Sequence, residues 1–165
     1  ESVGESRNRL LYATRPLTDT LRISGTARVT LRVASSKPAA NLSVWLVTLP
    51  YDSVMIGAQG HVGVVTRGWA DIQNHESLTR GGNYDLKRPG QPLAPGRFYD
   101  VTFDLEPDHQ VIPPGKQLAV LIMSSDREFT LWPQPGTQLI VDLSRSSFSI
   151  PIVGGVAALS RAGAM

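Results

Sequence analysis

The sequence predicts an all-β fold, with two antiparallel sheets packed face to face as a jelly-roll sandwich. Three observations carry that reading. Apolar and polar residues alternate with period two: Ala27, Val29, Leu31 and Val33 are separated by Arg28, Thr30 and Arg32. Tyr99, Val101, Phe103 and Leu105 are separated by Asp100, Thr102 and Asp104 in the same way. Turn residues are frequent, with 15 glycines and 12 prolines in 165 residues, which argues against a helical bundle. No segment of useful length has a helical period, so the strands have no helices to cross over them and pair antiparallel.

The elements follow in order. Residues 27–33 make a strand with one face in a core. Residues 42–49 are nearly all apolar around Trp45, as expected of a strand buried on both faces. Residues 62–66 are a weaker strand, diluted by Gly60 and Gly63, and a short helix fits 72–79. Residues 67–98 are the longest irregular stretch, which reads either as a functional loop or as an ordinary crossover between sheets. Ala94-Pro95-Gly96 marks the start of the next strand, 99–105. The unbroken apolar run 118–123 predicts a central strand, with proline-flanked strands at the edges. Residues 129–132, 139–143 and 148–150 are three further short strands. The chain is expected to be a single domain over 1–165, its core at about 10–153. Residues 154–165 are expected to be a flexible or extended tail, although 156–164 contains helix-friendly alanines.

Composition excludes several function classes. The chain is 41% hydrophobic, so it can bury a core, and it is only 18% charged. Lys and Arg number 16 against 14 Asp and Glu, a net charge of +2 with no basic run, so nucleic acid is not an expected partner. No apolar stretch is long enough for a membrane helix, so no membrane contact is expected. The absence of cysteine removes disulfides, thiolate metal sites and thiol nucleophiles together. The chain opens at Glu1 with no visible signal peptide, as expected of a piece of something longer. Cytoplasmic and secreted locations in a bacterium both fit.

Residues able to do chemistry are sparse. There is no Gly-x-Ser-x-Gly elbow, and a catalytic triad complete in this chain needs His61, His75 or His109 as its base. No His-x-His or His-x-x-x-His pair offers a zinc site. Asp100, Asp104, Glu106 and Asp108 form an acidic stretch, of which Asp100 and Asp104 share one strand face. Calcium is one reading of that face and a solvated strand is the favoured one. Gly60-His61-Val62-Gly63 and Arg80-Gly81-Gly82 lack the lysine and the following helix of a phosphate loop. Asn41-Leu42-Ser43 matches a glycosylation sequon, a match common by chance. No cofactor and no metal are expected. The residues singled out are Trp69, Arg80, Tyr84, Asp126 and Trp132, which lie in or beside predicted loops and combine aromatic, guanidinium and carboxylate groups. They suit either contact with another domain or a ring platform for a sugar.

The ordered motifs resemble one family. Tyr12-Ala13-Thr14-Arg15-Pro16-Leu17 runs into Leu21-Arg22-Ile23-Ser24-Gly25. Leu78-Thr79-Arg80 precedes Pro92-Leu93-Ala94-Pro95-Gly96-Arg97-Phe98-Tyr99. Pro113-Pro114-Gly115-Lys116-Gln117-Leu118 leads to Ile122-Met123-Ser124-Ser125-Asp126, and Ser147-Phe148-Ser149-Ile150-Pro151-Ile152 closes the series. Over residues 10–153 this is similar to the C-terminal domain of X-Pro dipeptidyl-peptidases, cocaine esterases and α-amino-acid ester hydrolases. Lys116 stands where many relatives carry His, so no His-dependent role passes to that position.

The resemblance implies a galactose-binding-like β-sandwich, non-catalytic, beside an α/β-hydrolase domain and a helical cap in one parent chain. The serine, acid and histidine of such parents belong to the hydrolase domain, and none maps onto this chain. The sandwich would pack on the catalytic domain, help to wall the active site and serve as a contact between copies in a homo-oligomer. The parent's expected substrates are peptides with proline second from the N-terminus. The alternatives are the same domain in an acyl esterase and a free-standing carbohydrate-binding module.

Overall fold

A computed structural model of the chain describes residues 6, 8–50, 63–78, 87–126 and 129–164. Among these residues there are nine strands: β1 (Arg9–Ala13), β2 (Leu21–Gly25), β3 (Arg28–Ser35), β4 (Asn41–Leu49), β5 (Val64–Asp71), β6 (Phe98–Asp104), β7 (Asp108–Ile112), β8 (Gln117–Met123) and β9 (Leu139–Ser149). A 3-10 turn at Ile72–Asn74 follows β5, and one helix, α1 (Gly155–Arg161), follows β9.

The first sheet has the order β1-β8-β4-β5, so the apolar strand β8 sits inside it, as its composition predicts. The second layer comprises β6-β3-β9 and the pair β2-β7. These two are continuous. The register Leu21↔Ile112 to Gly25↔Asp108 resumes as Arg28↔Asp104 to Ala34↔Phe98. Beyond β9 the chain runs along β2, where Ser24 N donates to Pro151 O at 2.9 Å and Val153 N to Arg22 O at 2.9 Å. The layer is therefore three long strands, each bent near its middle. Gly25 lies at the bend of the central one with φ 122°, a conformation that a side chain disfavours.

The core lies between the layers. Val29, Leu31 and Val33 of β3 and Val101 and Phe103 of β6 face Leu42, Val44 and Leu46 of β4, and all are buried in one cluster. Each such side chain contributes about 1.5–3 kcal/mol by leaving water. The outer face of β3 and β6 is a polar ladder set by the same alternation. Arg28 donates Nε and Nη2 to the two carboxylate oxygens of Asp104, at 2.6 and 2.9 Å. Thr30 and Thr102 hydroxyls meet at 3.0 Å, and Arg32 reaches Asp100 at 3.3 Å. Asp104 holds the Arg28 guanidinium above its ordinary value, first by hydrogen bonding and then by charge. The acidic face singled out for calcium is thus paired to arginines. Among the described residues no cluster of three or more metal-ligating side chains forms.

The layers also touch at one edge. Glu106 N donates to Arg67 O at 2.9 Å, and Thr66 Oγ1 donates to Glu106 O. Gly68 permits this crossing. A Cβ there would lie 2.8 Å from Leu105 Cδ2 and 2.9 Å from Asp104 O.

Four expectations are corrected. The segments 139–143 and 148–150 form one strand, interrupted by a bulge. The register passes from Thr30↔Ser147 to Arg32↔Asp142, which pushes 143–145 outward. Asp142 Oδ1 organises the bulge by accepting from Ser144 N at 3.1 Å and Ser144 Oγ at 2.6 Å. Residues 129–132 are a turn and loop, not a strand, because Phe129 N and Thr130 N both donate back to Asp126 O. The helix expected at 72–79 shrinks to the 3-10 turn, capped by Asp71, which accepts from Gln73 N at 3.0 Å. Burial pushes the Asp71 carboxyl up, against that bond. The tail is not extended. Beyond Gly154, α1 docks its C-terminal end on the body: Ala162 is wholly buried, and Thr18 donates its N to Ala162 O and its Oγ1 to Arg161 O, each at 3.0 Å.

The crossover 87–97 is pinned along its length. Gln91 N donates to Gln73 O at 3.0 Å, Leu93 N to Pro38 O at 2.8 Å and Gly96 N to Ser35 O at 2.8 Å. Leu93 is buried in the core.

Candidate functional site

The site grows from β5. Arg67 and Trp69 are two residues apart, so they share one face of the strand, on the side away from the core. Register places Trp45 of β4 opposite Arg67 and Ser43 opposite Trp69. On the other side of β4, β8 brings Met123 opposite Ser43 and then leads through Ser124-Ser125 to Asp126.

Asp126 is buried, 6% exposed. Its Oδ2 accepts from the Trp69 indole Nε1 at 3.2 Å and faces Arg67 Nη1 at 4.0 Å. Its backbone closes the following turn. Phe129 N and Thr130 N donate to Asp126 O at 3.0 and 2.8 Å, and Asp126 N donates to Thr130 Oγ1 at 3.1 Å. That turn sets the Phe129 ring against Trp69, with centroids 5.8 Å apart and planes at 26°. The Arg67 guanidinium lies 3.7 Å from the Phe129 centroid, 5.5 Å from Trp69 and 5.6 Å from Trp45. One cation therefore ties three rings together, and cation–π contacts gain strength where water is partly excluded.

The loop beyond is fixed from a second side. Asn41 Nδ2 donates to Leu131 O, and Lys37 Nζ to Pro135 O. With its backbone held, the loop turns apolar side chains outward: Phe129 is 52% exposed, Leu131 86% and Trp132 66%. Large apolar side chains exposed together on an anchored loop mark a contact surface more often than a random feature.

Of the five residues singled out from sequence, Trp69 and Asp126 are in direct contact and Trp132 projects from the loop that they brace. Trp69 lies within β5, half-buried, not in a loop. Arg80 and Tyr84 lie outside the described residues, as does His61. His75 rests its ring 4.7 Å from that of Tyr99, and His109 is exposed on β7. Sequence reasoning missed Arg67, Phe129 and Leu131. The signal for the first was present as Arg67-x-Trp69 on one strand face. Phe129 and Leu131 carry no such signal, since 129–132 has the composition of a strand.

A family model described as the X-Pro dipeptidyl-peptidase C-terminal non-catalytic domain matches residues 3–163. A provisionally named Xaa-Pro dipeptidyl-peptidase from Rhodopirellula baltica is 47% identical over 150 residues, covering 91% of this chain and 22% of the relative. The Xaa-Pro dipeptidyl-peptidase of Lacticaseibacillus rhamnosus is 29% identical, covering 87% of this chain and 21% of its own length. Among solved structures, an α-amino acid ester hydrolase superposes with TM-score 0.65 at 22% identity, over 88% of this chain and 26% of the other. An aminopeptidase from a marine sediment Thaumarchaeota archaeon gives 0.66 at 18% identity, over 91% and 26%. The chain thus spans about a quarter of the length of these four proteins.

Proposed function

Because this chain belongs to the family of X-Pro dipeptidyl-peptidase C-terminal non-catalytic domains, we propose that it serves as the accessory domain of a serine hydrolase that releases X-Pro dipeptides from peptide N-termini. The observation that carries this reading is the alignment at 47% identity to a segment making up 22% of its relative. In that parent, a serine of an α/β-hydrolase domain attacks the scissile carbonyl and an acyl-enzyme is then hydrolysed by water. The residues of this chain do none of that chemistry. They supply a rigid sandwich whose surface packs on the hydrolase domain and its helical cap and walls one side of the cleft, narrowing what can enter. Contact between two copies of the parent is a further role this reading gives the sandwich.

The test is hydrolysis of glycyl-prolyl-p-nitroanilide by the full-length parent and by this chain alone. Cleavage by the parent only, stopped by a serine-directed inhibitor, is the expected result. Turnover by the isolated chain overturns the accessory reading. A parent that leaves this substrate intact but cleaves α-amino-acid esters moves the assignment to the esterase branch.

A further inference from the structure

We propose that Phe129, Leu131 and Trp132 form the plug by which this chain docks on the catalytic part of its own parent polypeptide. The inference rests on the accessory-domain reading and adds the surface. Three observations support it. The side chains are large, apolar and 52%, 86% and 66% exposed, within four residues of one short loop. The loop is braced from beneath, by Arg67 under the Phe129 ring, by Asp126 O accepting from the turn amides and by Asn41 on Leu131 O. A braced loop loses little conformational freedom when it binds, which is where exposed aromatic residues contribute most.

The third observation is size, and it selects the occupant. With aromatic side chains at ~150–250 Å² each, the exposed part of the three amounts to about 400 Å². Two separate proteins need about 800 Å² on each side for a stable specific complex. A patch of half that area holds a partner that is already tethered, because a covalent link supplies an effective concentration of about millimolar. The matched relatives place some three-quarters of their length outside the segment corresponding to this chain. That remainder is the tethered partner. In this division of labour Trp69, Arg67 and Asp126 position the plug, while Phe129, Leu131 and Trp132 make the contact.

The experiment uses the full-length parent with benzoylphenylalanine in place of Trp132, and separately of Leu131, and with Thr20 as an exposed control position. After irradiation, cross-links are mapped by mass spectrometry. The expected product keeps the mass of one polypeptide and joins position 132 or 131 to peptides outside residues 1–165, several-fold above the yield at Thr20. Cross-links confined to residues 1–165, a product of doubled mass, or a yield no greater than the Thr20 control each overturn the proposal. Hydrolysis of glycyl-prolyl-p-nitroanilide by the same preparation reads the parent's activity separately. A parent that cross-links at 132 without cleaving loses the substrate assignment and keeps the docking surface. A parent that cleaves without cross-linking does the reverse.

Discussion

Trp69 and Asp126, 57 residues apart in sequence, meet at 3.2 Å, the indole N–H donating to the carboxylate. The contact joins the edge strand β5 to the turn after β8 and is buried at its acidic end. Asp126→Ala leaves the Trp69 N–H and Arg67 without their acceptor and is expected to cost about 1–3 kcal/mol. Asp126→Asn keeps an acceptor oxygen and is expected to cost about half of that. Urea unfolding followed by tryptophan fluorescence separates the two.

Gly68 is required for space, not for backbone conformation. Gly68→Ala drives a Cβ to 2.8 Å from Leu105 and 2.9 Å from the Asp104 carbonyl, and backbone on both sides must yield. The expected loss is about 2–3 kcal/mol. Gly96→Ala, where nothing lies within 4 Å and only φ +78° opposes the change, is expected to cost about 1 kcal/mol. Thermal unfolding of the two variants checks the order.

Ser43 is wholly buried, and its hydroxyl has no hydrogen-bond partner among the described residues. Ser43→Ala removes a desolvated polar group and is expected to raise stability, by up to about 1 kcal/mol. A loss of more than that in chemical denaturation would mean that the hydroxyl is satisfied.

Asp142 ties the β9 bulge. The Ser144 hydroxyl, ahead of the Ser144 amide, Arg32 and Arg145, holds its carboxyl below the usual aspartate value of 3.8. A depressed folded pKa gives stability that is present above the unfolded value and lost as pH falls through the folded one. Asp142→Asn is therefore expected to melt below the wild type at neutral pH, and the two melting curves are expected to converge as pH drops below 3.8. A melting difference that stays constant from pH 7 to pH 2.5 contradicts this.

Ala162 closes the core beneath α1. Ala162→Glu places a charge at a wholly buried position, and the helix must undock or the carboxyl must neutralise. The expected loss exceeds about 2 kcal/mol, and hydrogen exchange is expected to show faster amides in 155–161.

The second layer was legible because its pattern is local. Arg28, Thr30 and Arg32 alternate with core residues, as do Asp100, Thr102 and Asp104, so opposite charges fall on facing positions once the strands pair. The site was legible only in part. Trp69 and Asp126 could be named as chemically notable, but their contact depends on β4 lying between β5 and β8, which no local pattern encodes. Residues 129–132 look like a strand by composition. Their backbone is instead decided by a turn closed on Asp126 O, with Pro133 following. The docking of the tail is hidden for the opposite reason: alanine carries little hydrophobic weight, and the anchor of α1 is a threonine 143 residues away.

The central strand β3 has neighbours from very different parts of the chain. Arg28 lies opposite both Asp104 and Ser149. During synthesis β3 leaves the ribosome ahead of both partners, gains β6 only after some seventy further residues, and stays open on its other edge until β9 emerges. Contacts so distant in sequence make folding slow, on the order of milliseconds to seconds, since loop closure precedes any pairing. A chain cut anywhere short of β9 keeps an apolar strand edge exposed, and such an edge recruits other strands. Truncations that remove β9 are thus expected to give aggregates, not merely a looser sandwich.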